Sequence, residues 1–100
     1  MQKKRLYSSK KYSKKLISIV IPSFNEEGNI DTIYKKIKGL FEKEQYYYEI
    51  LFVDDGSKDG TLKEIERLSQ MDQGIKYISF SKNFGHQRAL KAGLDYATGD

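Results

Sequence analysis

An α/β fold, with a parallel sheet flanked by helices, is the architecture this sequence predicts. Three short apolar runs rich in β-branched residues alternate with three segments of helical periodicity. Each run is also cut off by a cluster of Gly, Asp, Asn, Ser or Pro, the residues that end strands.

The first run, Leu16 to Ile21, is β-branched and closed by Pro22, which predicts a buried strand. From Asn29 to Glu44, Ile30, Ile33, Tyr34, Ile37, Leu40 and Phe41 recur at helical spacing. Asn29 is placed as the N-cap, and Gly28 supplies the turn before it. Glu49 to Val53 is the second strand, stopped by Asp54-Asp55-Gly56-Ser57, and Tyr46-Tyr47-Tyr48 is read as packing at its entry. A second helix is expected over Thr61 to Gln70. Thr61 and Glu64 stand at capping-box spacing, and Leu62, Ile65, Leu68 and Ser69 form an inner stripe. Gly74 ends the connection to a third strand, Ile75 to Phe80. A third helix over His86 to Thr98 turns Ala89, Leu90, Gly93, Leu94 and Ala97 inward, with Gly99 at its C′ position. Strands alternating with helices of this length give right-handed parallel βαβ units, a Rossmann-like sheet covered on its faces. The chain stops at a helix end where the alternation calls for another strand, as expected of the N-terminal part of a longer protein.

Composition narrows the chemistry. One hundred residues suffice for one small domain, and the lack of Cys excludes a disulfide framework, a thiolate nucleophile and Cys-ligated metal. A single His excludes a multi-His metal centre. No apolar stretch approaches the roughly 20 residues of a membrane span, and no secretory leader is recognisable. The net charge of +4 resides in residues 1–15, where Lys3, Lys4, Arg5, Lys10, Lys11, Lys14 and Lys15 meet no acid. Residues 16–100 then hold 11 cations against 14 acids, a net −3. Nucleic-acid binding, which needs cations on the fold itself, is therefore not expected. The tail is read first as a disordered, solvated leader, and second as an arm attracted to an anionic membrane surface at about 1 kcal/mol per Lys or Arg.

Ligands of open parallel sheets bind beyond the carboxyl ends of the strands. Three loops leave those ends here, residues 22–27, 54–60 and 81–86, and all are dense in polar side chains and Gly. The loops at the opposite edge, near residues 43–48 and 70–74, show no such concentration. Neither a phosphate-loop pattern nor a dinucleotide glycine fingerprint follows the first strand. The acids at this edge disfavour bare phosphate and suit ribose hydroxyls, a base N–H or a cation that bridges phosphates. Two carboxylates at the end of an apolar strand need donors or a cation, so at least one of Asp54 and Asp55 is expected on a ligand. Asp54 or Asp59 is expected to cap the following turn. His86, a lone His at a helix start, is read as ordering its loop; no catalytic residue is assigned.

The segments Val20-Ile-Pro-Ser-Phe-Asn-Glu-Glu27, Ile50-Leu-Phe-Val-Asp-Asp-Gly-Ser57 with Asp59-Gly-Thr61, and Ser81-Lys-Asn-Phe-Gly-His86 through Asp100 resemble family 2 glycosyltransferases. Within that family they are similar to bacterial polyprenyl-phosphate (bactoprenol) glycosyltransferases and dolichyl-phosphate mannose synthases. The resemblance covers residues 16–100 and implies the N-terminal, nucleotide-binding half of a GT-A domain. It further implies that Pro22, Phe24, Glu26, Val53 and Asp55 line the base and ribose of a nucleotide-sugar donor, with Lys82 and Asn83 close by. Polyprenyl phosphate is the implied acceptor, at the cytoplasmic face of the cell membrane. The implied cofactor is a divalent metal, Mg2+ or Mn2+, whose Asp-x-Asp ligands would follow the next strand, beyond residue 100. A family 2 enzyme acting on a cell-wall or capsular saccharide is the nearest alternative. A non-catalytic α/β module is the alternative of a different class, although a receiver-like domain places its acidic pair after the first strand rather than the second.

Overall fold

The computed structural model describes residues 16–44 and 47–97. The basic tail, Tyr46, Thr98 and Gly99 lie outside the described residues. The elements alternate as expected: β1 (Leu16–Ser23), α1 (Ile30–Glu44), β2 (Tyr47–Asp54), α2 (Thr61–Met71), β3 (Ile75–Ser79) and α3 (His86–Tyr96). The strands form one parallel sheet in the order β1-β2-β3. Pro22 does not end β1, which continues to Ser23 opposite Asp54. A residue without an N–H is tolerated there because β1 is an edge of this sheet. In the common register Ser23, Asp54 and Ser79 stand side by side, so all three following loops leave from one edge.

Each sheet face has its own core. On one, Ile30 and Tyr34 of α1 and Ile65 and Leu68 of α2 pack on Ile50, Phe52 and Ile75. On the other, Ala89 of α3 packs on Leu51 and Val53, flanked by Val20, Ile78 and Phe80. α3 sits close because Gly93 faces the sheet: a Cβ there would meet Val20 Cγ1 at 2.2 Å and Val53 Cγ2 at 3.0 Å.

Two positions expected inward are not. Leu40 is 62% exposed and Leu94 59%. At about 100° per residue Leu40 lies roughly 80° round from Ile30, and Leu94 roughly 100° past Gly93, at the rim of each buried stripe. Of the two expected caps, Asn29 holds the N-cap position of α1 and Thr61 does not hold that of α2. The Asn29 side chain donates to Glu26 Oε1 (3.0 Å) rather than accepting from α1, although its carbonyl takes the Ile33 N–H (3.0 Å). Thr61 is the first residue of α2, not its cap, and Glu64 reaches across to α1 instead of back to Thr61.

The edge opposite the three loops holds a polar hub that its sparse sequence does not announce. Asp72, after α2, accepts from the Tyr34 hydroxyl of α1 (2.7 Å), the Tyr48 hydroxyl of β2 and the Gly74 N–H (2.8 Å). Tyr48 also stacks on Phe41, with ring centroids 5.6 Å apart, as strand-entry packing requires. Burial pushes the Asp72 carboxyl up, but the Tyr48, Gly74 and Tyr34 donors outweigh it and hold it below its ordinary 3.8. Burial, followed by the bond to Asp72, pushes the Tyr48 phenol above its ordinary 10.0.

Gly93→Ala should lower stability by about 1–3 kcal/mol through overpacking. Gly39→Ala, at a helical position with open space around it, should raise stability by about 0.5–1 kcal/mol; urea denaturation of both variants checks the pair. In pH titrations of stability, the Asp72 contribution should be complete above its ordinary 3.8 and disappear as pH falls through the lower folded value. The Tyr48 contribution should be complete below 10.0 and fade as pH rises towards its higher folded value. Asp72→Asn should flatten the acid limb.

Candidate functional site

The loops after β1 and β2 are tied by side chains of each to backbone N–H groups of the other. Asn25, in the left-handed region at φ 51°, donates its N–H to Ser57 Oγ (2.9 Å) and accepts the Lys58 N–H on Oδ1 (2.9 Å). The Glu26 N–H goes to Thr61 Oγ1 (2.7 Å) and the Glu27 N–H to Asp59 Oδ2 (3.3 Å), while Glu27 Oε1 takes the Gly60 N–H (2.8 Å). The Gly28 and Asp31 N–H groups both reach Glu64, at 3.0 Å each. Loop amides that lack sheet partners are thereby paired with side chains of the neighbouring loop. Asp59 also takes the Thr61 N–H (2.9 Å), the turn-capping role expected of it, and the Thr61 hydroxyl holds its carboxyl below 3.8. Asp54 likewise accepts the Ser57 N–H (3.3 Å).

The third loop is fixed by Asp55. Its backbone N–H donates to the Ser23 carbonyl (2.8 Å), and its carboxylate faces the loop after β3. Oδ1 accepts the Phe84 N–H (2.8 Å); Oδ2 accepts the Gly85 N–H (3.0 Å) and Asn83 Nδ2 (3.1 Å). Asn83 Nδ2 also lies 3.1 Å from the Asp55 carbonyl. Gly56, at φ +75°, lets the two loops touch: a Cβ there would stand 2.3 Å from the Lys82 carbonyl carbon.

These three loops enclose a cavity of about 390 Å³ lined by Pro22, Ser23, Phe24, Glu26, Asp55, Asn83, Gly85 and His86. Five of the seven sequence-expected site residues, Pro22, Phe24, Glu26, Asp55 and Asn83, thus meet at one place. Two do not line it. Val53 is fully buried, its side chain packed in the α3 core. Lys82 is exposed, with Nζ 5.3 Å from the Phe84 ring centroid. Ser23, Gly85 and His86 also line it, so His86 stands at the cavity as well as at the start of α3. Phe24, 41% exposed, offers an aromatic surface, and the Glu26 carboxylate and the Asn83 side-chain oxygen offer acceptors. That mixture suits a flat, hydrogen-bonding, partly apolar ligand.

Residues 18–100 match the family model described as glycosyl transferase family 2. The chain belongs to glycosyltransferase family 2. It is 46% identical over 85 residues to the putative glycosyltransferase CsbB of Bacillus subtilis (strain 168), covering 85% of this chain and 26% of that protein. It is 48% identical over 84 residues to the prophage bactoprenol glucosyl transferase homolog of Escherichia coli (strain K12), covering 84% of this chain and 28% of the relative. To the bactoprenol glucosyl transferase of Shigella phage SfV it is 46% identical over 84 residues, 84% of this chain and 27% of that one. The chain therefore spans about a quarter of the length of the curated relatives it matches. In fold it is similar to a mannosyltransferase, PcManGT from Pyrobaculum calidifontis, solved in complex with GDP-Man and Mn2+. That match has a TM-score of 0.64 at 22% identity, over 88% of this chain and 26% of the other. The fold is that of the N-terminal part of a GT-A glycosyltransferase.

Among the described residues no group of three or more His, Cys, Asp or Glu side chains is arranged to hold a metal ion. The acids at the carboxyl edge instead accept loop N–H groups. They do not form the ligand set of the divalent metal that the resemblance implies.

The loop ties give a direct expectation. Thr61→Val removes the acceptor of the Glu26 N–H and should cost roughly 1–3 kcal/mol, the scale of an orphaned donor. Thr61→Ser, which keeps the oxygen, should cost less than half of that; paired denaturation curves give the comparison.

Proposed function

We propose that the cavity holds the base and ribose of a nucleotide-sugar donor, and that the whole protein transfers a hexose from a UDP- or GDP-sugar to polyprenyl phosphate. One observation carries this reading: in a family 2 chain, Phe24, Glu26 and Asn83 converge with Pro22 on a single cavity at the carboxyl edge of the sheet. The bactoprenol transferases among its relatives support a lipid phosphate as acceptor. Phe24 would stack on the base, while Glu26 would accept from ribose hydroxyls and Asn83 would bond a polar edge of the nucleotide. A phosphate acceptor is already ionised at neutral pH, so His86 is not needed as a strong base. A divalent cation, Mg2+ or Mn2+, belongs to this reading as the partner of the diphosphate, with its ligands in the part of the protein beyond residue 100.

No helix among the described residues is long and apolar enough to cross a membrane. The proposed place of action is the cytoplasmic face of the cell membrane, with residues 1–15 adding attraction to anionic lipid.

Isothermal calorimetry of the full-length protein with UDP and with GDP should show binding of at least one. Phe24→Ala should weaken it by about 1–3 kcal/mol, the range for loss of a base-stacking aromatic. Absence of binding by either nucleotide would overturn the donor assignment. Deleting residues 1–15 should reduce co-sedimentation with vesicles containing anionic lipid at low salt, with little difference left at ~0.5 M salt, where surface charges are screened. Its nucleotide affinity should not change.

A further inference from the structure

We propose, resting on the nucleotide reading above, that Thr61 is a positioning residue for the donor: from outside the cavity its hydroxyl, oriented by Asp59, sets where Glu26 stands. A hydroxyl has one proton to give and lone pairs with which to accept. At Thr61 the proton goes to Asp59 Oδ1, which also takes the Thr61 N–H (2.9 Å). The oxygen is thereby left to accept, and what it accepts is the Glu26 N–H, at 2.7 Å. The bond to the hydroxyl also keeps the Asp59 carboxyl below its ordinary 3.8, in the charged form that this orientation needs.

The contact joins a fixed point to a free one. Thr61 is fully buried and opens α2, whose Ile65 and Leu68 lie in the core. Glu26 is exposed, and among the described residues its other bonds are local: its carbonyl accepts the Asn29 N–H (2.9 Å) and Oε1 accepts Asn29 Nδ2 (3.0 Å). Thr61 is therefore what ties this residue to another element, from 35 positions away. With Oε1 held by Asn29, Glu26 Oε2 has no protein donor among the described residues and is the acceptor left for a hydroxyl of the occupant. Neither Asp59 nor Thr61 lines the cavity, so both act on the occupant through Glu26.

Amide hydrogen exchange and isothermal calorimetry of the full-length protein test this. In the nucleotide-free wild type, the Glu26 amide should exchange at least about tenfold more slowly than that of Phe24, each relative to its intrinsic rate, because the bond to Thr61 must open first. Thr61→Val should abolish that protection while the core amides of Ile50 and Phe52 keep theirs, and should weaken UDP or GDP binding about tenfold. Thr61→Ser, which keeps the oxygen, should bind within about threefold of the wild type. A double-mutant cycle separates positioning from general support. In a Glu26→Ala background, Thr61→Val should change affinity by less than about threefold, because the carboxylate it acts through is gone. An equal loss in both backgrounds would overturn the proposal, as would wild-type affinity in a folded Thr61→Val protein. An unprotected Glu26 amide in the wild type would overturn it too, even if Thr61→Val failed to fold. If the wild type binds neither nucleotide, the donor reading fails, while the exchange data still decide whether Thr61 holds Glu26.

Discussion

A backbone N–H that leaves a parallel sheet at its carboxyl end loses its ladder partner, and the architecture of this edge follows from that constraint. Three loops leave β1, β2 and β3 side by side, and beyond the first residue after β2 and after β3, whose amides still reach Ser23 and Asp54, few of their amides find a strand partner. The sequence answers with short polar side chains placed so that each loop serves the next. Ser57, Asp59, Thr61 and Glu64 serve residues 25–31, Asn25 and Glu27 serve the second loop in return, and Asp55 serves the third. The cavity is the space these mutual bonds leave between the loops.

The sheet beneath supports that arrangement by being held at both ends. Asp72 ties α1, β2 and the turn before β3 at the far edge, and Gly93 brings α3 against Val20 and Val53 on the face that ends under the cavity. Val53 belongs to this support: its side chain packs under the site while the backbone it carries leads into Asp54 and Asp55.

The alternation of elements was legible because strand and helix periodicities differ and each run here is short and cleanly bounded. The place of the site was legible too, since polar residues crowd only one set of loops. The division of labour among those residues was not. Asp59, Glu27 and Glu64 have the composition of ligand groups, yet their oxygens meet backbone N–H groups across a loop boundary, a pairing that depends on three-dimensional register and leaves no trace in local spacing. The same limit explains Thr61 and Glu64, whose capping-box spacing is real but whose partners lie on another element. Asp72 was missed for the opposite reason: one acid among uncharged neighbours such as Gln70 and Gln73 gives no charged cluster to notice, and its tyrosine partners come from 38 and 24 residues away. Leu40 and Leu94 show that helical periodicity locates a buried stripe better than its margins.

The reciprocal ties between the first two loops have a consequence for how this surface varies. Asn25, Glu26, Glu27 and Gly28 find their acceptors on Ser57, Thr61, Asp59 and Glu64, an interlaced rather than a sequential order, so one residue inserted on either side would break several of these bonds at once. The two loops are thereby confined to a single length and a common path. The side chains of Phe24, Asn83 and His86 line the cavity yet take no part in these ties, so they can change without disturbing the joint between the two loops.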